Sequence, residues 1–169
     1  MAYKDILLAL TTYPDATPAS AINEPVAFAV AVGARISAIA CEVHYQVPNS
    51  ILGRALIDVP GMAAAEAKKS ALAGERLLAA FSADAENRAV LQDKIVERCL
   101  TTQPSDILIE HARLRDLMII PVPDGDTLQH SYAEAVIFGS GRPLLITSQE
   151  RGRPGDFKLD TVVVAWDFS

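Results

Sequence analysis

The segment from Asp116 to Thr147 constrains the fold more than any other part of this sequence. An apolar run, Leu117–Ile120, is followed by a turn rich in Pro, Gly and Asp at Pro121–Asp126. A helical pattern over about Leu128–Phe138, a Gly-rich break and a second apolar run, Pro143–Thr147, complete the segment. This order predicts a strand, a crossover helix and a parallel strand. Such a unit places a ligand site where its first strand ends and its helix begins.

Apolar runs and helix-forming stretches alternate through the chain before this segment. Strands are predicted at Asp5–Leu10, Arg35–Val43 and Val90–Leu100, and helices at residues 20–33, Met62–Ala85 and Pro104–Arg115. The fold class is therefore α/β, a doubly wound, Rossmann-like open parallel sheet of five strands with helices on both faces. Charged residues in Val90–Leu100 place that strand at a sheet edge, where charge discourages pairing with other chains.

Some local features follow from residue type. Ser20 or Asn23 is predicted to cap the first helix and Gly33 to end it. In the second helix the residues predicted to face the core are Leu72, Leu77, Leu78 and Phe81. Residues 51–60 stay open between a short helical turn and a packed loop.

Composition excludes several classes of partner. Half of the 169 residues are hydrophobic and the net charge is −6, so neither nucleic acid nor an anionic membrane surface is expected to bind. No apolar run is long enough to span a membrane, and the start of the sequence has no small-residue cleavage site, so we expect no cleavable leader. Cys41 and Cys99 lie in apolar runs without CxxC spacing, which predicts buried, reduced thiols. We expect a cytoplasmic protein.

Three stretches together resemble the universal stress protein family. They are DILLALT near the start, DLMIIP in the fourth strand, and the stretch from Ser131-Tyr132-Ala133-Glu134 to Arg142-Pro143-Leu144-Leu145. The last is similar to the family's Gly-Ser-Val-Ala-Glu helix start and its Cys-Pro-Val-Leu final strand. The resemblance implies strand order 3-2-1-4-5 in an adenine-nucleotide alpha hydrolase-like fold. It also implies a dimer formed through the last strand, and ATP as the ligand of many members.

The carboxyl-terminal part of the chain suggests a tandem arrangement. Residues 1–148 match one such domain, and residues 149–160 have the composition of a linker. Thr161–Trp166 is a further apolar run, and the ending WDFS is close to the family's usual first-strand exit. Residues 161–169 are therefore predicted to be the first strand of a second α/β domain that this chain does not contain.

The chain departs from the nucleotide-binding pattern of the family. Thr11 stands where ATP-binding members have an aspartate, and Pro121 and His130 stand where they have glycines. Ser131 follows Pro121 by ten positions, whereas the family motif places its Ser or Thr fourteen positions after the first glycine. Proline has no N–H to offer a phosphate, and Asp124 adds negative charge where a triphosphate would lie.

These departures predict a non-catalytic domain with a degenerate nucleotide site, acting in stress response by pairing or regulation, as a homodimer or with a second domain. No catalytic set, metal-ligand set or required cofactor can be assembled. The alternative is a sensor of ATP, another nucleotide or a small ligand at the carboxyl ends of strands 1 and 4. The residues predicted to line that site are Thr11, Thr12, Val43, Pro121, Val122 and Ser131.

Overall fold

A computed structural model of the chain describes residues 3–46, 58–125 and 127–149. The strands are β1 Asp5–Leu10, β2 Arg35–His44, β3 Leu91–Leu100, β4 Leu117–Val122 and β5 Leu144–Ser148, and the helices are α1 Asn23–Val32, α2 Val59–Asn87, α3 Pro104–Arg113 and α4 Thr127–Ser140. All pairings are parallel, and the order across the sheet is β3-β2-β1-β4-β5. The predicted class, strand count and strand order are confirmed.

Each face of the sheet carries its own hydrophobic core, because successive residues of a strand point to opposite faces. Ile6, Leu8 and Leu10 of β1 pack with buried residues of α1 and α2. Leu7 and Ala9 pack on the other face with buried residues of α3 and α4. Strands covered on both faces are continuous apolar runs, which is why β1 and β4 could be recognised from the sequence.

The long helix α2 begins earlier than predicted. Asp58 caps it by accepting a hydrogen bond from the Gly61 N–H at 3.0 Å, and Pro60 occupies its first turn. Most of residues 51–60 lie outside the described residues, but Val59 and Pro60 are helical.

The predicted core face of α2 was partly wrong. Leu77, Leu78 and Phe81 are buried as predicted, but Leu72 is 41% exposed. The buried line continues instead through Ser70 and Gly74. With about 100° between successive helical residues, Leu72 lies roughly opposite Ser70 and so faces solvent.

The β4–α4 turn is shorter than the sequence suggested. Pro121 and Val122 belong to β4, where they pair with Thr147 and Ser148. Proline is tolerated here because β1 pairs with β4 only through Leu117–Ile119, so the missing N–H costs no bond on that side. The helix α4 begins at Thr127 and ends at Ser140.

Two smaller predictions concern α1. Neither Ser20 nor Asn23 caps it, because a 3₁₀ turn, Ala19–Ile22, runs directly into the helix and no side chain caps either element. Gly33 does end it, with a φ of 67° that suits a residue without Cβ.

Two predictions fall largely or wholly outside the described residues. The linker at residues 149–160 does so except for Gln149, and the strand Thr161–Trp166 does so completely. Within the described ranges, no helix combines the length and apolar character needed to cross a membrane.

Asp116 joins the amino-terminal ends of β1 and β4. Its Oδ2 accepts hydrogen bonds from the backbone N–H of Lys4 at 2.9 Å and of Asp5 at 3.1 Å. These bonds, from Lys4 first, hold the pKa of Asp116 below its ordinary value of 3.8.

The lowered pKa predicts an acid-dependent loss of stability. A depressed folded-state pKa stabilises the fold above the unfolded-state value, and that stabilisation is lost as the pH falls through the folded-state value. Asp116→Asn should therefore lower the melting temperature at pH 7, and the difference from wild type should shrink below about pH 3.8. Thermal melts from pH 7 to pH 2 would measure it, with the exposed Asp15→Asn as control. A difference that is independent of pH would contradict this role.

Candidate functional site

A narrow cleft lies at the carboxyl ends of β1, β2 and β4. Its walls are mainly apolar and aromatic, formed by Leu10, Tyr13, Val43, Leu108, Ile120 and Tyr132. The cavity within the cleft has a volume of only about 20 Å³. That is room for about one water molecule. Side chains therefore close the cleft to larger ligands in this conformation.

The structure brings three of the predicted site residues together. Thr11, Thr12 and Val43 all line the cleft. They lie close together because β1 and β2 pair in parallel, so that the carboxyl ends of the two strands are side by side. Pro121, Val122 and Ser131 do not line it. Pro121 and Val122 are buried within β4, and Ser131 is exposed on α4.

Four residues near the carboxyl ends of β1 and β2, one of them on α2, are linked by buried hydrogen bonds. The Val43 N–H donates to Ser70 Oγ at 2.9 Å, and Ser70 Oγ lies 2.7 Å from Thr12 Oγ1. Thr12 Oγ1 donates to the Cys41 carbonyl at 2.5 Å. Because this bond uses the only proton of the threonine hydroxyl, Ser70 must donate to Thr12. We call this set Val43, Ser70, Thr12 and Cys41 the hydroxyl relay.

Sequence reasoning missed Ser70. The residue is completely buried, and Thr12 is 2% exposed. A signal was present, since Ser70, Gly74, Leu77 and Phe81 follow one another at helical spacing on one face of α2. Small residues on an otherwise apolar helical face indicate close approach to another element, and a buried hydroxyl requires a partner there.

At the carboxyl end of β4, two glutamines occupy the space beside the strand. The side-chain Nε2 of Gln149 donates to the Pro121 carbonyl at 2.9 Å and to Gln129 Oε1 at 2.8 Å. The backbone N–H of Gln149 donates to the Val122 carbonyl at 3.2 Å. Gln149 is 8% exposed and Gln129 is 2% exposed. The first residue of the predicted linker is thus packed against the domain.

Ser131 is not at the start of a helix. Because α4 begins at Thr127, Ser131 lies in its second turn. Its hydroxyl donates to the Leu128 carbonyl at 2.6 Å. The neighbouring His130 is exposed. A hydroxyl bonded to the preceding turn is not available in the way that a hydroxyl at a free helix N-terminus would be.

Two tyrosines lie where the chain leaves β1 and β2. The rings of Tyr13 and Tyr45 meet edge to face, with centroids 5.8 Å apart. Partial burial, a hydrogen bond with Tyr13 and the nearby Glu66 raise the pKa of Tyr45 to about 12. The Tyr45 phenol therefore packs beside Tyr13 and is not suited to proton transfer near neutral pH.

The thiol in the cleft wall is not set up as a nucleophile. A hydrogen bond with Cys99, together with burial, raises the pKa of the Cys41 thiol, so it is neutral near pH 7. Both cysteines are free and buried, as predicted. Among the described residues, no group of three or more His, Cys, Asp or Glu side chains is arranged to hold a metal ion.

Comparison with known proteins identifies the fold. No family model matches the sequence, and no curated protein matches it significantly. A solved structure from the universal stress protein family of Burkholderia pseudomallei superposes with a TM-score of 0.59 at 19% identity, covering 86% of this chain and 96% of the other.

Two further solved structures are similar. The universal stress protein UspA of Lactobacillus plantarum gives a TM-score of 0.51 at 18% identity, with 87% and 99% of the two chains covered. A universal stress protein in complex with cAMP gives 0.49 at 15% identity, with 88% and 99% covered. The two structures with TM-scores of 0.59 and 0.51 show that the chain has the fold of the universal stress proteins.

Proposed function

We propose that this chain is a non-catalytic domain of the universal stress protein type, with a degenerate nucleotide site, that acts in stress response through pairing or regulation. The observation that carries the proposal is the packing of Gln149 against Pro121, Val122 and Gln129 at the end of β4. A bound phosphate group would have to occupy the space that the Gln149 side chain fills, and it would need free N–H donors around it.

Two residues at the carboxyl end of β4 disfavour the binding of an anion. Pro121 has no N–H, and its carbonyl is already an acceptor for Gln149. Asp124 contributes an exposed carboxylate in the turn that follows. A triphosphate here would meet the Pro121 carbonyl oxygen and the Asp124 carboxylate, and Pro121 would offer it no backbone N–H.

The nucleotide test is a thermal melt of the purified chain with ATP and Mg²⁺. A ligand that binds the folded state raises its stability by RT ln(1 + [L]/Kd). We expect no change in melting temperature at millimolar ATP. A rise of several degrees would overturn the degenerate-site proposal.

A restoration variant sharpens this test. Replacing Pro121 and His130 together by glycine should still give no ATP-dependent shift, because Gln149 and the short loop remain. Adding Gln149→Ala removes the side chain that fills this place and serves as the comparison variant. Binding recovered by the two glycines alone would show that the loop length and Gln149 do not matter.

The second candidate function is a sensor of a nucleotide or another small ligand. It is favoured by the grouping of Thr11, Thr12 and Val43 around one cleft. Calorimetry with ATP and Mg²⁺, and analysis of any nucleotide in the protein as purified, separate it from the first proposal. Because the cleft is apolar, a ligand found there should be uncharged over most of its surface.

Pairing is proposed to occur along β5. The two edge strands differ in charge: β3 is LQDKIVERCL, whereas β5 is LLITS. Charges on an edge strand discourage strand addition, so β5 is the edge open to a partner. We place a homodimer there, in which Thr161–Trp166 of one chain adds to β5 of the other. In a longer tandem protein the same residues would open the second domain.

A cytoplasmic location is the remaining part of the proposal. It is supported by the acidic composition, with a net charge of −6, and by the two free thiols of the described chain.

A further inference from the structure

A groove lies between α2 and the edge strand β3, on the face of the sheet that α2 covers. Its lining includes Glu42, His44, Ala67, Lys68, Ala71 and Arg98. The side chains of Glu42 and His44 continue the row of Ala38 and Ala40, which pack in the core beneath α2. The groove is therefore separate from the cleft, which lies on the face covered by α3 and α4. Its volume is about 490 Å³, which is within the range of small-molecule sites.

The side chains around the groove carry a net positive charge in an acidic protein. Lys68 on α2 and Arg98 on β3 are exposed cations, and Glu42 is the single carboxylate among the described residues that line the groove. Two cations and one carboxylate leave one positive charge, whereas the chain as a whole carries −6. A ligand with one negative charge would balance the charge of the groove.

Arg98 is held so that part of its guanidinium is available. Arg98 and Glu42 are paired across the sheet, and Glu42 Oε2 accepts a hydrogen bond from Arg98 Nε at 3.3 Å. The Glu42 side chain is 14% exposed and that of Arg98 is 83% exposed. Within the described part of the chain, neither terminal nitrogen of this guanidinium has a hydrogen-bond partner. These two nitrogens form a forked edge that binds a carboxylate through two parallel hydrogen bonds.

The hydroxyl relay fixes the α2 side of the groove. Ser70 Oγ accepts a hydrogen bond from the Val43 N–H at 2.9 Å, which ties this part of α2 to β2. Ala67 lies three positions before Ser70 and Ala71 directly follows it, and both line the groove. Their methyl groups are small, so the space between the helix and β3 stays open and has apolar surface on the helix side.

We propose that this groove binds a small organic monocarboxylate. Arg98 takes the carboxylate through its two terminal nitrogens, Lys68 supplies the second cation, and the apolar body of the ligand lies against Ala67 and Ala71. His44 can add one N–H donor. A polyanion such as ATP carries more charge than the groove can balance, and Glu42 repels the excess. The inference is independent of the proposed function, because the cleft and the β5 edge take no part in it.

The experiment titrates the isotope-labelled full chain with sodium benzoate at constant ionic strength and follows the amide chemical shifts by NMR. Benzoate should shift the amides of Ala67 and Ala71 with a dissociation constant of about 1–10 mM, as expected for so small a ligand. Benzamide, the neutral analogue, should give no saturable shift over the same concentrations. Phenyl phosphate, a dianion with the same ring, should bind no more tightly than benzoate.

Four variants test the roles of the cations. Arg98→Ala should weaken benzoate binding at least about tenfold, because it removes two charge-assisted hydrogen bonds. Lys68→Ala should weaken it about threefold, the contribution of an exposed cation. Lys94→Ala and Lys69→Ala are the matched controls, since each removes an exposed cation from the same strand or helix that does not line the groove. Both controls should bind benzoate within about twofold of wild type.

Several results would overturn the proposal. Equal binding of benzamide would show that the groove recognises the ring and not the carboxylate. Tighter binding of phenyl phosphate would assign the groove to phosphate. Equal loss of binding in Lys94→Ala and Arg98→Ala would show a general attraction of anions, and absence of a shift at Ala67 and Ala71 up to about 20 mM benzoate would exclude the site. None of these measurements involves a nucleotide, so the degenerate-site proposal is tested separately.

Discussion

Replacing Phe81 with alanine should lower the free energy of unfolding by about 3–5 kcal/mol. Phe81 is completely buried and belongs to the core between α2 and the sheet. Removing its ring takes away the transfer free energy of a large apolar group and leaves a cavity that the fixed β-sheet cannot fill. Chemical denaturation followed by circular dichroism gives the free-energy difference.

Leu72→Ala is the control for that measurement. It removes a large apolar side chain from the same helix, but Leu72 is 41% exposed. Its loss should therefore cost less than about 1 kcal/mol. Equal effects of the two substitutions would show that α2 does not bury the face that contains Phe81.

The sequence predicted the arrangement of strands better than the faces of the helices. Buried parallel strands are apolar throughout, so β1 and β4 stand out against any neighbouring segment. The helix α2 is rich in alanine, and its apolar residues spread over more than one face. Periodicity alone could not choose between Leu72 and Ser70 as the buried position, because the sheet surface beneath them decides it.

Only the part of the candidate site at the carboxyl ends of the consecutive strands β1 and β2 was predicted from the sequence. Thr11 and Thr12 follow β1, and Val43 is the last residue but one of β2, so the parallel pairing of the two strands brings these residues together. Ser70 and Gln149 were missed because each is polar, and polar residues are usually exposed. Their burial depends on partners far away in sequence: Thr12 for Ser70, and Pro121 for Gln149. The residue pattern of a single sequence does not show which distant residues are hydrogen-bonded to each other.

Replacing Ile146 with glutamate should weaken the proposed homodimer by at least about a hundredfold in its dissociation constant. Ile146 is 49% exposed near the middle of β5, the edge strand that carries no charge. A strand from a partner chain would cover that side chain, and a carboxylate in its place would lose its hydration without gaining a cation. Light scattering or sedimentation over a range of concentrations measures the dissociation constant.

The other edge of the sheet supplies a matched control. Val96 is 50% exposed near the middle of β3, so Val96→Glu adds the same charge at a similar position on the edge that already carries charges. It should leave dimerisation unchanged.

Deleting residues 157–169 should weaken the dimer as well, since that removes the proposed added strand with its three valines and a tryptophan. If Ile146→Glu stays dimeric at the same concentrations, pairing along β5 is wrong. If only the deletion has no effect, the partner contributes a different surface to that edge.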